Sequence, residues 1–273
     1  MSPEPSPSPP LEPSPSSPLV AVATSGAVRT LTLDSPRNRN ALSTPLMDRL
    51  SRELSAAADD ESVRVVVLSH TGPVFCSGID LAESEAARRQ GTMPAAGLAD
   101  LLAQVWEFPK PVVARVGGPA RAGGLGLIAA ADIALCAEDA TFAFTEVRLG
   151  VIPAVISATV LRRMDPRSAA RLFLTGEVFD GARAARAGLV TEAVPAAELD
   201  GAVAQVCAAL LRGAPAAVAG AKRLLRRQPP ASVAEDLAEL SALSVGYFHS
   251  DDAREGIAAF REKRDPRWVP ADG

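Results

Sequence analysis

Short apolar runs alternate with stretches of helical spacing along most of the chain. Residues 19–24 and 28–33, rich in Val, Leu and Thr, flank a Ser25-Gly26 turn and predict a hairpin of two strands. Residues 63–68 and 112–116 are continuous apolar runs, which are typical of strands buried on both faces. We therefore expect a sheet that begins with the hairpin and continues in the later apolar runs.

Helical signals separate these strands. Ser43-Thr44-Pro45 predicts a helix start, because proline suits the first helical positions. Four apolar residues then recur on one face: Leu46, Met47, Leu50 and Leu54. The alternation continues with helices over residues 98–106 and 154–163 and strands over residues 132–136 and 189–194. Strands that alternate with helices in this way predict an α/β fold with a mainly parallel sheet.

The two ends of the chain differ from this central part. Residues 1–18 are rich in Ser and Pro and cannot bury enough apolar surface to offset their ordering entropy, so we expect a disordered tail. A docking site for a proline-binding module is the alternative. Beyond Pro195 the pattern predicts only helices, over residues 196–211, 215–226, 233–247 and 252–263. The chain thus divides into the tail, a core over residues 19–212 and a helical C-terminal region over residues 213–273.

Composition narrows the classes of partner. Of the 273 residues, 48% are hydrophobic and 4% aromatic, and the formal net charge is -4. An acidic chain provides no overall attraction for nucleic acid or anionic lipid, so we expect neither partner. The chain has an odd number of cysteines, Cys76, Cys136 and Cys207, and their spacing is not that of metal ligands. This favours a reducing, cytoplasmic setting over a disulfide framework. We expect neither a membrane span, which needs about 18 consecutive apolar residues, nor a secretory signal.

Two segments in the middle of the chain carry candidate chemistry. An apolar strand leads through Gly117-Gly118-Pro119-Ala120-Arg121-Ala122-Gly123-Gly124 into an apolar helix, which leaves unpaired N–H groups at a helix start. Such a turn holds a developing negative charge. Further along, Glu146 lies in an apolar run, where burial raises the pKa of a carboxyl group. An anion cradle beside such a carboxylate predicts proton transfer next to a carbonyl.

Four ordered motifs resemble those of the crotonase superfamily, also called the enoyl-CoA hydratase/isomerase family. Asn38-Arg39-Asn40-Ala41-Leu42 is similar to its Asn-Ala-Leu element, and Phe75-Cys76-Ser77-Gly78-Ile79-Asp80-Leu81 to its Phe-Cys-Ala-Gly-x-Asp-Leu element. The glycine-rich stretch and residues 142–153 are similar to its two central active-site elements. The resemblance runs from Leu19 to Trp268 and implies a spiral core of repeated ββα units with a helical C-terminal trimerisation region.

The resemblance implies catalytic roles for three residues. The family's two oxyanion-hole amides fall on the backbone N–H groups of Ile79 and Gly123, where fixed donors stabilise a thioester enolate. Its second catalytic glutamate falls on Glu146. The alternatives are a tight packing turn at Gly123-Gly124 and, for Glu146, a solvated strand-end glutamate or an ion pair with Arg148.

The resemblance also implies an acyl-CoA substrate and a site for its CoA part. Arg37 lies where the family often has a basic residue near the ADP phosphates, and arginine pairs well with phosphate. Phe260 and Lys263 match an element that contacts the CoA of a neighbouring subunit, and an amphipathic end helix is a compatible reading of the same residues. A homotrimer or a dimer of trimers is implied, with no cofactor beyond the CoA thioester and no metal.

The chain departs from the family pattern at the first catalytic glutamate, where it has Gly126. Glu146 then has to activate water and return the same proton to Cα, which a syn addition permits. The Gly-Leu-Gly variant resembles a subgroup that includes hydratases of branched glutaconyl-CoA esters, and it also occurs in members that dehalogenate aromatic substrates. We predict a hydratase-like lyase that adds water to a 2-enoyl-CoA in fatty-acid or branched acyl-CoA catabolism. An enoyl-CoA isomerase and a non-catalytic acyl-CoA-binding protein are the alternatives.

Other polar residues have weaker claims on the site. Arg121 either contacts a second substrate carboxylate or faces solvent, and Asp80 is expected to fix its loop. Cys76 is expected to be a packing residue. His70 and His249, the two histidines, form no metal-ligand or triad arrangement in the sequence. A serine protease family shares the core fold of the crotonase superfamily, but this sequence contains no Gly-x-Ser-x-Gly motif, so we do not expect proteolysis.

Overall fold

The main sheet of the protein has the predicted mixture of one hairpin and several parallel strands. The computed structural model describes residues 19–80, 83, 89 and 95–270; the Ser-Pro tail, residues 1–18, lies outside them. The sheet order is β1-β2-β3-β4-β6-β9. Its strands are β1 (Val20–Ser25), β2 (Val28–Leu33), β3 (Val65–His70), β4 (Val112–Val116), β6 (Ile133–Ala137) and β9 (Glu192–Val194). β1 pairs antiparallel with β2 and the later pairings are parallel, which confirms the α/β prediction.

Helices connect and follow these strands. They are α1 (Thr44–Asp59), α2 (Ala95–Glu107), α3 (Gly123–Ala130), α4 (Ala154–Val160), α5 (Pro166–Thr175), α6 (Gly181–Arg186), α7 (Leu199–Leu211), α8 (Pro215–Arg226), α9 (Val233–Phe248) and α10 (Asp251–Glu262). α1 begins as predicted, since the Ser43 hydroxyl accepts a hydrogen bond from the Leu46 N–H at 3.4 Å. The face with Leu46, Met47, Leu50 and Leu54 is buried.

α4 ends at Val160, three residues earlier than the spacing predicted. The following residues form tighter turns, in which Arg162 N donates to Thr159 O and Arg163 N to Val160 O. The Arg163 guanidinium donates to the carbonyls of Ala129 and Ala131, at 3.1 and 2.8 Å. These bonds tie the turn that follows α4 to the end of α3.

A second, small sheet was not predicted. It consists of β5 (Ala120–Arg121), β7 (Thr141–Ala143) and β8 (Phe179–Asp180), in the order β5-β7-β8. Strands of two or three residues are too short to reveal a period of two in the sequence. Their pairing matters for the site, because β5 belongs to the glycine-rich stretch and β7 leads to Glu146. The small sheet thus brings the two candidate segments side by side.

The core is built from the parallel strands and the helices that cover them. All six residues of β3 are buried, as expected for a strand covered on both faces. Asp132 anchors the later helix α8 to this core: its carboxylate accepts hydrogen bonds from Val112 N at 2.8 Å and Lys222 Nζ at 2.7 Å, and it pairs with Arg226. Burial lowers the pKa of Lys222 to about 8. The cluster fixes α8 against the sheet.

The C-terminal helices leave much apolar surface uncovered. α9 has no buried residue, and its Val233, Leu237 and Phe248 are 74%, 59% and 65% exposed. Among the described residues no single helix is long and apolar enough to cross a membrane; one strongly bent pair, residues 196–211 with 215–226, passes by length and composition only. Beyond Pro195 the described chain is helical, as predicted.

Candidate active site

The glycine-rich stretch forms a turn between β5 and α3. Gly123 and Gly124 are the first two residues of α3, and Ala122 precedes them in a strained conformation with φ 46° and ψ −117°. Positive φ is unfavourable for a residue with a Cβ. The Ala122 N–H is held by the carbonyl of Ala143 at 3.3 Å, which ties the turn to β7. The turn is therefore tied to β7, and the Gly123 N–H lies in the first turn of α3, where N–H groups lack an intrahelical acceptor.

A second loop lies against this turn and is organised by Asn40. Asn40 is fully buried; its Oδ1 accepts a hydrogen bond from Ser35 N at 2.8 Å, and its Nδ2 donates to Thr71 O and Val74 O. Leu42 then forms a parallel bridge with Ile79. The shape of this loop pair thus rests on a side-chain amide that satisfies three backbone groups.

The bridge between Leu42 and Ile79 uses the amides on either side of Ile79 and not the Ile79 N–H itself. Leu42 N donates to Gly78 O at 2.7 Å and Asp80 N donates to Leu42 O at 3.3 Å, while the Ile79 N–H between them donates to no carbonyl in the part of the chain that the structure describes. The Gly123 N–H likewise donates to no backbone carbonyl of the described residues. Two unpaired N–H groups therefore come from the two loops.

Close packing brings these two amides together. Gly78, with φ +96°, has no room for a side chain: a methyl group built on it would lie 3.0 Å from Ala122 Cβ and 3.6 Å from Gly123 N. A methyl group built on Gly124 would lie 2.8 Å from Cys76 Cβ and 3.0 Å from Cys76 O. The glycines are needed because the two backbones touch. Two amide donors at this junction are suited to an oxygen that gains negative charge.

Glu146 begins a short 3₁₀ helix, Glu146–Leu149, directly after β7. Its Oε2 atom is buried and has no hydrogen-bond partner in the described part of the chain. Burial raises the pKa of this carboxyl group. Among the described residues Glu146 forms no ion pair with Arg148, which is exposed and donates from Nε to Thr175 O at 3.2 Å. Glu146 is also not a strand-end residue, since it belongs to the helix after the strand.

Gly126 lies one helical turn after Gly123 on α3, on the side of the helix that α2 and α4 cover. A methyl group built on Gly126 would lie 2.7 Å from Ile156 Cγ2, 3.1 Å from Ile156 Cβ and 3.1 Å from Leu102 Cδ1. The Thr159 hydroxyl donates to Gly126 O at 3.1 Å. The place of the missing carboxylate is thus filled by apolar side chains.

Arg121 has neither of the roles considered for it. Its Nη1 donates to Ala120 O at 2.8 Å and to Thr141 O at 2.5 Å, and its Nη2 donates to Thr141 Oγ1 at 3.0 Å. The guanidinium is partly buried, and burial lowers its pKa. It is therefore engaged with the small sheet, which leaves it only partly exposed.

The remaining polar candidates have structural contacts. Asp80 Oδ1 accepts a hydrogen bond from Glu83 N at 3.2 Å, which agrees with a loop-fixing carboxylate. Cys76 is fully buried beneath the glycine turn. His70 Nε2 accepts a hydrogen bond from Gly117 N at 3.0 Å, while burial and the nearby Arg115 lower its pKa, so the imidazole is neutral. The described residues contain no group of three or more His, Cys, Asp or Glu side chains that would hold a metal ion.

The candidate CoA residues are not together within one chain. Arg37 is exposed in the loop before Asn40, on the side of the sheet that carries Ile79. Phe260 is 85% exposed on α10, and Lys263 ends that helix with φ 55°. Arg64, just before β3, bonds to the carbonyl of Trp268 and so holds this end of the chain at the amino end of β3. A strand of this length spans about 17–20 Å, which separates the two groups.

The sequence profile of the enoyl-CoA hydratase/isomerase family matches residues 23–270. The chain belongs to this family. The 2,3-dehydroadipyl-CoA hydratase of Escherichia coli strain K12 is 33% identical over 250 residues, which cover 90% of this chain and 96% of the relative. The carnitinyl-CoA dehydratase of Proteus mirabilis is 32% identical over 256 residues, covering 90% and 97%. The solved structure of Pseudomonas aeruginosa AtuE superposes with a TM-score of 0.87 at 33% identity and covers 92% of this chain and 99% of its own.

Membership of the enoyl-CoA hydratase/isomerase family makes the protein an enzyme of acyl-CoA metabolism and confirms the resemblance seen in the motifs. Sequence reasoning missed the residues that shape the site without doing chemistry. Asn40 was quoted as part of a motif, but its three hydrogen bonds were not foreseen. Ile156 lies on α4, which follows Glu146 in the chain, and only its distance to Gly126 shows that it fills the space beside that glycine. The strain at Ala122 was also not predicted, because positive φ is usually indicated by glycine in the sequence and this residue is alanine.

Proposed function

We propose that the protein is an enoyl-CoA hydratase that adds water across the double bond of a 2-enoyl-CoA thioester with one catalytic carboxylate, Glu146. The observation that carries this proposal is that, within the described ranges, the buried Oε2 of Glu146 and the N–H groups of Ile79 and Gly123 have no hydrogen-bond partner. A carboxyl group with a raised pKa is a suitable base and acid near neutral pH.

In the proposed reaction the thioester oxygen accepts hydrogen bonds from Ile79 N and Gly123 N. Glu146 takes a proton from water while the water oxygen bonds to Cβ, and the electron pair of the double bond moves through Cα to the thioester oxygen. The resulting enolate is stabilised by the two amides, each worth roughly 3–4 kcal/mol in comparable sites. Glu146 then returns its proton to Cα, which completes a syn addition and leaves the carboxylate ready for another cycle.

The CoA part is proposed to lie between two subunits. Arg37 is on the oxyanion side of its own chain, whereas Phe260 and Lys263 are at the other end of β3, so a neighbouring copy has to supply them. The apolar face of α9, with Val233, Leu237 and Phe248, provides a surface for that copy. We propose that residues 213–273 assemble the chain as a homotrimer or a dimer of trimers, in the reducing cytoplasmic setting that three free buried cysteines suit.

The first experiment compares wild type with Glu146→Gln on a panel of straight, branched and carboxylated 2-enoyl-CoA esters, followed by loss of the enoyl-thioester absorbance. We expect turnover by wild type and a loss of about 10²–10⁴-fold in kcat in the variant, because the amide neither accepts nor returns the proton. Glu138→Gln is the matched control, since Glu138 is exposed on the loop before β7. Equal kcat in wild type and Glu146→Gln would exclude Glu146 as the acid–base group.

An enoyl-CoA isomerase is the second candidate, and the single carboxylate favours it too, because one base suffices to move a proton between Cγ and Cα. A 3-enoyl-CoA ester separates the two reactions: isomerisation forms the 2-enoyl absorbance, whereas hydration removes it. A protein that only binds acyl-CoA would bind the same esters saturably in calorimetry and change neither signal.

The assembly is tested by light scattering. We expect a mass of three or six chains for wild type and of one chain for Leu237→Asp/Phe248→Asp, because a charge on this face opposes burial. Val22→Asp, on the exposed side of the hairpin, is the control. If the double variant keeps the mass of wild type, α9 does not form the contact between subunits.

A further inference from the structure

The volume beside Gly126 is closed rather than vacant. The Cβ position of Gly126 is 2.7 Å from Ile156 Cγ2, which is below any distance that real side chains adopt, so even an alanine requires something to move. Leu102 Cδ1 closes the same volume from α2 at 3.1 Å. Ile156 and Leu102 are only 2% and 3% exposed. A residue with a side chain at this position therefore competes with the packing of three helices.

Ile156 is also held where it is. It lies in the middle of α4, whose Thr159 hydroxyl shares its single hydrogen between two acceptors, Gly126 O at 3.1 Å and Ile156 O at 3.2 Å. Thr159 is 5% exposed, so this bond is made inside the core. Moving α4 away from α3 to make room would break this buried contact between the two helices. The clash at Gly126 is therefore not relieved by a small helix shift.

We propose that Ile156 is a positioning residue that keeps position 126 closed to a side chain, so that a second carboxylate beside Glu146 requires a change at residue 156 as well. This inference rests on the proposed hydratase function. A second carboxylate at that turn of α3 would couple to the titration of Glu146, and two neighbouring acids titrate in two steps. With Ile156 in place, the wall beside the first turn of α3 stays apolar.

The packing part of the proposal is tested without substrate, by thermal unfolding of Gly126→Ala in three backgrounds. In wild type we expect Tm to fall by roughly 3–10 °C, from overpacking. With Ile156→Gly, which removes the two Ile156 atoms and leaves only the terminal methyl group of Leu102 close by, the same change should cost less than about 2 °C. With Ile156→Val, which keeps Cβ and Cγ2, the full loss should return. Gly201→Ala is the control for a helical glycine, since nothing lies within 4 Å of its Cβ position. An equal loss in all three backgrounds overturns the proposal.

The chemical part is tested by the pH profile of kcat/KM for hydration. Wild type should have one carboxyl limb, whereas Gly126→Glu/Ile156→Gly should have two, because its two carboxylates titrate as a pair. Gly126→Glu/Ile156→Val should unfold at a much lower temperature than wild type, and its pH profile should show no second limb. A single limb in Gly126→Glu/Ile156→Gly, or two limbs in Gly126→Glu alone, overturns the role of Ile156. If wild type hydrates no enoyl-CoA, the proposed function fails, while the Tm comparison still decides whether Ile156 controls position 126.

Discussion

The amide side of the site, formed by Ile79, Gly123 and the turns around them, is held much more tightly than the acid side, formed by Glu146. On the amide side, glycines touch opposing backbone, a buried asparagine makes three hydrogen bonds and an alanine is strained. On the acid side, one carboxylate oxygen is buried without a hydrogen-bond partner among the described residues. The amide side is therefore defined by packing and the acid side by a single ionisable group, so substitutions on the two sides should fail in different ways.

The largest structural effect is expected on the amide side, from Gly124→Ala. The added methyl group would overlap Cys76 Cβ and the Cys76 carbonyl, and backbone cannot yield as a side chain does. We expect a loss of about 2–3 kcal/mol in the free energy of unfolding, together with a fall in kcat of up to about 100-fold as the Gly123 N–H moves. Urea unfolding and hydration kinetics measure the two. An unchanged unfolding midpoint would mean that this side is not fixed by packing.

A smaller effect is expected from Arg121→Lys. The guanidinium makes three hydrogen bonds to the small sheet, and an ammonium group does not reproduce them, so we expect a loss of about 1–2 kcal/mol in stability. Because Arg121 does not face a substrate, the ratio of kcat/KM for carboxylated and uncharged enoyl-CoA esters should stay constant within about twofold, well below the discrimination a lost charge pair causes. A selective loss on the carboxylated ester would restore Arg121 as a substrate contact.

The smallest effect is expected from Glu146 on stability, and it depends on pH. Because the folded protein raises the pKa of Glu146, its ionised form disfavours the folded state. Below the ordinary value of 4.5 both states hold the neutral acid, and stability falls as pH rises from there through the folded pKa. The Tm of Glu146→Gln relative to wild type should therefore be higher at pH 8 than at pH 4. A difference that is constant with pH would contradict a desolvated carboxylate.

The sequence predicted the parts of the fold whose period extends over several residues. The hairpin, α1, β4 and α8 lie where the apolar spacing placed them, and the four motifs led to the correct family. β5, β7 and β8 were missed because two or three residues carry no period, although these strands bring the glycine turn beside Glu146. α5 and α6 were also not predicted; α5 begins with Asp165 before Pro166, a capping pattern that was available in the sequence.

For the site, residue type predicted the chemistry but not the contacts. The burial of Glu146 follows from its apolar neighbours in the chain, and the departure at Gly126 is visible as a missing glutamate. Whether that position is empty, wet or filled depends on Ile156 and Leu102, which come from two other helices. Arg121 illustrates the same limit. An arginine beside a glycine turn has the right charge to bind a substrate carboxylate, and only the fold shows that its guanidinium donates to oxygen atoms of residues 120 and 141.

The close contact between Gly126 and Ile156 restricts the order in which mutations could convert one kind of site into another. A lineage that enlarges residue 126 first passes through a protein with overlapping atoms, whereas one that shrinks residue 156 first passes through a protein with a small cavity. Cavities lower stability but leave the backbone in place, while overlap displaces it. The order in which residue 156 becomes smaller first is therefore the more favourable one. A carboxylate at residue 126 is then tolerated only in proteins that already have a small residue at 156.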